Sequence, residues 1–330
     1  MLLELTTENA SEYLGSRLEA SGARDWRIVS LGGGVSNTVL LAESKGRRWV
    51  IKQSLGKLRV EEEWLADRSR IHREAAAMKR LAPVLPLEAV PEIVFTDEAN
   101  CIYAMAAAAE GARDWKSHLL EGDVDPGIGC IAGSILSAQI GATWESEECR
   151  KEFGDLRCFD QLRLDPYYRF LARRHTDLAP AMEKCIALCQ EHRYCLVHGD
   201  FSPKNLLVRG EVVTVIDFEV IHYGNPAFDA AFLIHHLLLK SVHRPEWGSS
   251  YADTARWFWN ALIAGYPGEA EQLRSDTMQH LGCLFLARVD GKSPAEYLTP
   301  AQRERVRVLA RGMIQNRARD VEEAFGRVLG

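Results

Sequence analysis

The stretch LVHGDFSPKNLLVRGEVVTVIDFEV, Leu196–Val220, places polar residues between apolar runs with the composition of β-strands. These polar residues are His198, Asp200, Asn205, Asp217 and Glu219. A buried carboxylate is costly unless it is paired with a cation or binds a metal. Asp217 directly follows the strand-like run VVTVI, so its side chain would emerge at the end of a strand. The stretch therefore predicts a β-hairpin whose acids have a structural or a chemical role.

The spacing of these residues favours phosphoryl transfer. That reaction requires an acid that orients or deprotonates the attacking hydroxyl, and an amide and a second acid that hold Mg²⁺. Asp200 is the candidate base. The candidate metal ligands are Asn205, which follows five residues later, and Asp217. The same interval separates the base from the metal-binding asparagine in H-R-D-x-x-x-x-N. Capping of turns around Pro203 is the alternative for Asp200 and Asn205, and a turn at the end of the strand is the alternative for Asp217.

The motif H-G-D-x-x-x-x-N followed by I-D-F-E resembles the aminoglycoside phosphotransferase / choline kinase superfamily, which has a protein-kinase-like fold. This resemblance implies ATP- and Mg²⁺-dependent phosphorylation of a small-molecule hydroxyl. It implies that Asp200 is the catalytic base and that Asn205, Asp217 and Glu219 bind the metal. A solvated acid is the alternative for Glu219.

The resemblance also assigns supporting roles to His198 and Asp229. His198 would brace the backbone of the metal-binding loop, and a satisfied core histidine is the alternative. Asp229, in FDAAFL, would brace the catalytic loop from the start of a helix. A helix N-cap is the alternative for Asp229.

The upstream region contains the groups that a kinase needs to hold phosphates. LGGGVSNTVLL joins two strand-like runs, and its glycines let backbone N–H groups approach phosphates, although a plain hairpin turn has the same composition. In VIK, Lys52 has the context of a phosphate-pairing lysine, and Glu74, in a helix predicted over 69–81, is its candidate partner. An exposed lysine and a solvated helix face are the alternatives. The predicted nucleotide-binding residues are Gly33, Gly34, Ser36, Asn37, Lys52 and Glu74, with Met105 and Ala107 at a hinge whose backbone would contact adenine.

The order of these patterns predicts the fold class and the domains. Residues 1–105 are mostly strand-like with one helix, and residues 106–330 are mostly helical apart from the hairpin. We therefore expect an α+β, protein-kinase-like bilobal fold. A small β-rich nucleotide-binding lobe would span 1–105, and a larger catalytic and substrate-binding lobe would span 106–330.

The short interval after the metal site predicts a small acceptor. Asp229 follows Asp217 by about a dozen residues, which leaves no room for the activation segment and A-P-E motif of protein kinases. IKQSLGKLRVEEEWLADRSRIHREA is similar to the corresponding region of methylthioribose kinases, which implies a sugar-like acceptor. Aminoglycosides, amino alcohols of the choline type and a non-catalytic nucleotide-binding role remain alternatives. Arg288 and Lys292, around a predicted turn, are candidate substrate contacts, and a solvated loop is their alternative.

Composition excludes several other classes of protein. The net charge of −6 and the pI near 6.0 argue against general binding to nucleic acids or acidic membranes. The N-terminus has no basic segment typical of a signal peptide, and the longest apolar run is too short to span a bilayer. We expect a cytoplasmic enzyme that binds a small-molecule substrate, and a homodimer is left open.

Overall fold

The computed structural model describes residues 3–17, 26–32, 37–55 and 68–330. The chain divides into two compact units, one comprising Met1–Pro83 with Val90–Glu110 and the other Val84–Ala89 with Gly111–Gly330. The described part of the first unit is dominated by a β-sheet, and the second unit is mostly helical. The predicted α+β class is confirmed.

An antiparallel five-stranded sheet forms the centre of the first unit, with the strand order β1-β2-β3-β5-β4. Its strands carry many β-branched and aromatic residues, which favour extended backbone. Leu40, Ile51 and Ile102 pack with Leu14 in the core on one face of this sheet. The elements are α1 (Ala10–Arg17), β1 (Arg27–Ser30), β2 (Asn37–Ser44), β3 (Arg47–Ser54), α2 (Arg70–Leu81), β4 (Ile93–Asp97) and β5 (Ile102–Ala106).

The second unit surrounds two small sheets with helices. Strands β6, β8 and β9 form one sheet, and β7 pairs with β10 in the other. The early elements are β6 (Arg113–Asp114), α3 (Trp115–Glu121), α4 (Pro126–Thr143), α5 (Glu147–Phe153), α6 (Arg157–Phe159), a π-helix (Asp160–Arg169), α7 (Phe170–Arg174), α8 (Ala179–Glu191) and β7 (Cys195–Val197). A 3₁₀ helix (Pro203–Asn205), β8 (Leu206–Arg209), β9 (Val212–Val215), β10 (His222–Gly224), α9 (Ala227–His243), a 3₁₀ helix (Pro245–Trp247), α10 (Gly248–Ala264), α11 (Ala270–Asp290), α12 (Pro300–Gln315) and α13 (Val321–Leu329) follow.

The predicted hairpin is formed by β8 and β9. Leu206 pairs with Val215 and Arg209 with Val212, around a turn in which Gly210 has a φ of +56°. The 3₁₀ helix ends at Asn205, directly before β8, and Asp217 follows β9 by two residues. The hairpin register therefore fixes the separation of the two candidate metal ligands. Among the helices described, none is both long and apolar enough to cross a bilayer.

Glycines allow helices α4 and α10 to approach closely. A Cβ added to Gly133 would collide with the carbonyl oxygen of Phe258, and one added to Gly129 would collide with that of Thr254. Since both carbonyls belong to backbone, the helices themselves would have to move apart.

We expect Gly133→Ala to lower the free energy of unfolding by about 1–3 kcal/mol, because the added methyl group overpacks this contact. The matched control is Gly141→Ala in the same helix, where a new Cβ meets no atom within 4 Å. That variant should gain up to about 1 kcal/mol from the higher helix propensity of alanine. Denaturant unfolding of both variants measures the difference, and similar effects would contradict the packing argument.

Candidate active site

Asp200 lies in the loop that follows β7, and its carboxylate is buried and held by cations. The residue as a whole is 5% exposed. Its Oδ2 lies 2.9 Å from a guanidinium nitrogen of Arg163 and 3.2 Å from Nζ of Lys204. The Asn205 amide donates to the same oxygen at 2.9 Å and to the Asp200 carbonyl at 3.0 Å. The carboxylate is thus oriented by three side chains.

These cations keep Asp200 ionised. Burial by itself would raise the pKa of the Asp200 carboxyl, but Arg163 and then Lys204 hold that pKa below its ordinary value. Asp200 in turn raises the pKa of Lys204. At neutral pH the group is a carboxylate that can accept a hydrogen bond from a hydroxyl.

Sequence reasoning missed Arg163. This residue belongs to the π-helix, 36 residues before Gly199, and it also donates from Nε to the Gly199 carbonyl at 2.7 Å. π-helical segments are frequent at functional sites, but they have no sequence signature as clear as a helix cap. Lys204 was missed as well, although its position four residues after Asp200 was a signal.

His198 and Asp229 both contact the backbone of the loop that carries Asp200. Asp229 is on α9, and its two carboxylate oxygens accept the backbone N–H groups of His198 at 2.6 Å and Gly199 at 2.8 Å. Pro226, not Asp229, is the N-cap of α9. Burial raises the pKa of Asp229 to about 7, against the opposing effect of these two donors. Asp229 therefore contacts the backbone of the Asp200 loop directly.

The His198 ring connects the loop that carries Asp200 to Ile216, the residue before Asp217. Its Nε2 lies 3.1 Å from the Ile216 carbonyl, which can only accept, and its Nδ1 lies 3.2 Å from the Asp200 backbone N–H, which can only donate. Both contacts are satisfied by the neutral tautomer with the proton on Nε2. Burial also favours the neutral ring, because it lowers the pKa of His198 to about 4.

The candidate metal ligands suit a hard cation such as Mg²⁺. Because the Asn205 amide nitrogen donates to Asp200, its oxygen is the atom that faces away from the base. Asp217 has a φ of +69°, a left-handed conformation that aspartate adopts more readily than most residues. Glu219 is partly exposed two residues later. Mg²⁺ prefers such oxygen ligands and completes its shell with water and phosphate.

In the first unit, Lys52 and Glu74 form a buried ion pair. Nζ of Lys52, on β3, lies 2.8 Å from Oε1 of Glu74, on α2, and the two residues are 5% and 1% exposed. Asn37, at the start of β2, is buried, and its amide oxygen accepts from Arg70 at 3.4 Å. Gly33, Gly34 and Ser36 lie outside the described residues.

The predicted adenine contacts lie at the end of β5. Met105 is within the strand and pairs with Val50 on β3. The backbone N–H of Ala107 donates to the Arg48 carbonyl at 2.9 Å, so this donor is engaged within the sheet. Contact of Met105 and Ala107 with adenine remains a prediction.

The predicted substrate residues lie on either side of the end of α11, where the helix gives way to bends at 291–293. Arg288 lies in the last turn of α11, and its guanidinium donates to the Tyr167 hydroxyl at 3.3 Å and to Ser293 Oγ at 3.0 Å. Lys292 follows the helix and forms an ion pair at 3.0 Å with Asp165. Its side chain is 42% exposed. The helix continues through Arg288 because the Gly291 N–H still bonds to the Ala287 carbonyl.

The sequence of the chain is similar to those of known phosphotransferases. Residues 27–270 match the model of the phosphotransferase enzyme family. A methylthioribose kinase of Escherichia coli O45:K1 (strain S88 / ExPEC) is 24% identical over 297 residues, which is 78% of this chain and 70% of that protein.

Two solved structures share the fold at low sequence identity. A choline/ethanolamine kinase family protein from Mesorhizobium loti is 14% identical, with a TM-score of 0.57 over 98% of this chain and 99% of that one. Spectinomycin phosphotransferase, in complex with ADP and spectinomycin, is 13% identical, with a TM-score of 0.53 over 99% of each chain. The resemblance to the aminoglycoside phosphotransferase / choline kinase superfamily is confirmed. Because the family model matches well over half of its length, this chain belongs to the phosphotransferase enzyme family and is a small-molecule phosphotransferase.

Proposed function

We propose that this enzyme transfers the γ-phosphoryl group of ATP, in the presence of Mg²⁺, to a hydroxyl of a small sugar-like metabolite. The observation that carries the proposal is the buried, ionised Asp200, which the amide of Asn205 holds at the H-G-D-x-x-x-x-N spacing. The methylthioribose kinase relative supports a sugar-like acceptor.

Asp200 orients the acceptor hydroxyl by accepting its hydrogen bond. The hydroxyl oxygen forms a bond to the γ-phosphorus while the bond from that phosphorus to the β,γ-bridging oxygen breaks, and ADP leaves. The hydroxyl proton passes to Asp200 and then to solvent. Since the low pKa of Asp200 makes it a weak base, proton transfer would come late, after most of the phosphoryl movement.

Charge on the phosphates requires compensation from cations. Asn205, Asp217 and Glu219 would hold Mg²⁺, which neutralises negative charge on the phosphate oxygens. Lys204, whose ammonium lies 3.2 Å from Asp200, adds a positive charge close to the transferred group. Arg163 remains engaged with Asp200 and acts as a positioning residue.

The first unit supplies the remaining nucleotide contacts in this proposal. Lys52, fixed by Glu74, would pair with the α- and β-phosphates. Gly33, Gly34, Ser36 and Asn37 would contribute groups to the phosphates, and the backbone at Met105 and Ala107 would contact adenine.

We expect ATP with Mg²⁺ to raise the melting temperature and an acceptor to trigger ADP release. Ligand at 100 times its Kd stabilises the folded state by about 2.7 kcal/mol. The measurement is thermal denaturation followed by an ADP-release screen across sugars, amino alcohols, amino acids and aminoglycosides, each with and without EDTA. Asp217→Asn should lose the Mg²⁺-dependent part of the stabilisation. Asp253→Asn, an ion-paired acid at the surface of α10, is the control. No thermal response and no acceptor-dependent ADP release would instead indicate a non-catalytic protein.

A further inference from the structure

A group of basic side chains lies on α9 and α11 of the second unit. We call His235, His236, Lys240 and Arg288 the basic cluster. Tyr297 lies against it, with its ring centroid 5.8 Å from Nζ of Lys240. His236, Arg288 and Tyr297 are partly exposed, whereas His235 and Lys240 are 0% exposed. The cluster therefore extends from the protein surface into the interior.

Direct contacts connect the basic cluster to the catalytic base. Arg163, which is ion-paired with Asp200, lies over the rings of Tyr167 and Phe232 at 6.0 and 5.8 Å. Phe232 in turn contacts both histidines, and the two histidine rings are 4.2 Å apart. The Tyr167 hydroxyl accepts from Arg288. The cluster thus begins one layer of aromatic side chains away from the Asp200–Arg163 pair.

Lys240 is buried, and no carboxylate of the described residues forms an ion pair with its ammonium. Within the described ranges it forms no ion pair, and its only hydrogen bond is to the His236 carbonyl at 3.4 Å. The charge of Asp114 raises the pKa of Lys240, but the Asp114 carboxylate is engaged in capping α3, where it accepts from the backbone N–H and the hydroxyl of Ser117. Burial, then Lys116 and Arg288, lower the pKa of Lys240 to about 7. An anion beside the ammonium would remove this penalty.

Other polar atoms of the group also lack partners. His235 Nε2, Arg288 Nε and the Tyr297 hydroxyl are buried and make no hydrogen bond within the described part of the chain. His235 Nδ1 is engaged with the Ala231 carbonyl at 3.2 Å, which leaves Nε2 of the neutral ring as an acceptor. Buried polar groups normally have partners, so these three atoms indicate a ligand with hydrogen-bonding groups of its own.

We propose that the basic cluster binds an anionic group, a carboxylate or a phosphate ester, of a hydroxylated acceptor whose reactive hydroxyl faces Asp200. This inference rests on the proposed function and specifies its substrate class. Lys240 and Arg288 pair with the anion, and His235 Nε2 accepts from a hydroxyl of the ligand. The anionic group is not itself modified, since the phosphoryl group goes to the hydroxyl.

The same charges disfavour cationic acceptors. An aminoglycoside or a choline-like amino alcohol would place its own positive charge against Lys240 and Arg288, and like charges at a binding surface cost several kcal/mol. The sequence from Ala231 to Gly330 has 13 Lys and Arg residues against 11 Asp and Glu residues, so the positive excess of the basic cluster is local.

Binding is tested with three related probes, ribose, ribonate and ribose 5-phosphate, by calorimetry. ADP and Mg²⁺ are kept at saturation so that anions do not occupy the nucleotide's own phosphate site. We expect at least one of the two anionic probes to bind about 30-fold more tightly than ribose, which corresponds to about 2 kcal/mol for a buried charge pair. The comparison of ribonate with ribose 5-phosphate distinguishes a carboxylate from a phosphate. Equal binding of all three probes, or preference for ribose, would overturn the inference.

Variants identify the residues responsible. Lys240→Met and Arg288→Met should each bring the anionic-to-neutral affinity ratio close to one. Lys184→Met, at an exposed position of α8, should leave the ratio unchanged. Since Lys240 is buried and has no carboxylate partner among the described residues, Lys240→Met should also melt at or above the wild-type temperature at pH 7, whereas loss of a structural lysine would lower the melting temperature. An unchanged ratio in Lys240→Met contradicts the assignment.

The two proposals fail in different ways. If ATP and Mg²⁺ do not raise the melting temperature, the proposed kinase function is contradicted, whatever the binding of ribose, ribonate and ribose 5-phosphate shows. A normal nucleotide response combined with no preference for anionic probes removes only the assignment of the basic cluster.

Discussion

Asp200→Asn should lower kcat by about 10²- to 10⁴-fold, the contribution expected of a general base, while binding of ATP and Mg²⁺ persists. The amide keeps the size of the carboxylate but cannot accept the hydroxyl proton. Steady-state ADP release with the best acceptor from the screen measures the rate. Thermal stabilisation by ATP and Mg²⁺ measures nucleotide binding independently.

The control for Asp200→Asn is Asp253→Asn. Asp253 is a half-exposed acid that also pairs with an arginine, Arg256, but it lies on the surface of α10. This variant should retain wild-type turnover. If Asp200→Asn kept turnover within a few-fold of wild type and bound nucleotide normally, Asp200 would not be the base.

Lys52→Met should both abolish efficient transfer and destabilise the protein by about 3–5 kcal/mol, the cost of breaking a buried ion pair. Its partner Glu74 is 1% exposed, so the carboxylate cannot turn to solvent when the ammonium is removed. Chemical denaturation of the wild type and the variant measures the loss. The double variant Lys52→Met/Glu74→Met should recover part of the stability, since two apolar side chains replace the pair, but it should recover no activity.

Lys292→Met provides the matched control for the buried pair. Its ion pair with Asp165 has a similar length, 3.0 Å against 2.8 Å, but both partners are partly exposed. An exposed pair contributes about 0–1 kcal/mol, so this variant should unfold close to the wild type. Equal losses in Lys52→Met and Lys292→Met would show that burial does not determine the contribution of the Lys52–Glu74 pair.

Local spacing explains why much of the candidate site could be predicted. Asp200, Asn205 and Asp217 lie within one short hairpin unit, and the register of β8 with β9 leaves little freedom in their separation. In the first unit, Lys52 on β3 and Glu74 on α2 could likewise be predicted, because both belong to a recognisable sequence pattern. In each case the candidate residues belong to a pattern that can be read along the local sequence.

Helix packing decided the parts of the site that could not be predicted. Arg163 reaches Asp200 from a π-helix, and nothing in its local sequence distinguishes it from Arg169 or Arg173, which pair with acids nearer the surface. Arg288 and Lys292 flank the end of α11, and only the packing of that helix directs the Arg288 guanidinium to Tyr167.

The sequence by itself determined the α+β class and the phosphotransferase motif, and it predicted Asp200 as the base and Asn205, Asp217 and Glu219 as metal ligands. Those features depend on hydrophobic periodicity and on short spacings, which are properties of the local chain. Only the tertiary structure showed that Lys240, within an apolar helix, is buried near the His236 carbonyl and the Tyr297 ring. A buried and an exposed lysine look alike in a sequence. Whether a lysine can extend to water depends on the helices packed around it, and these come from distant parts of the chain.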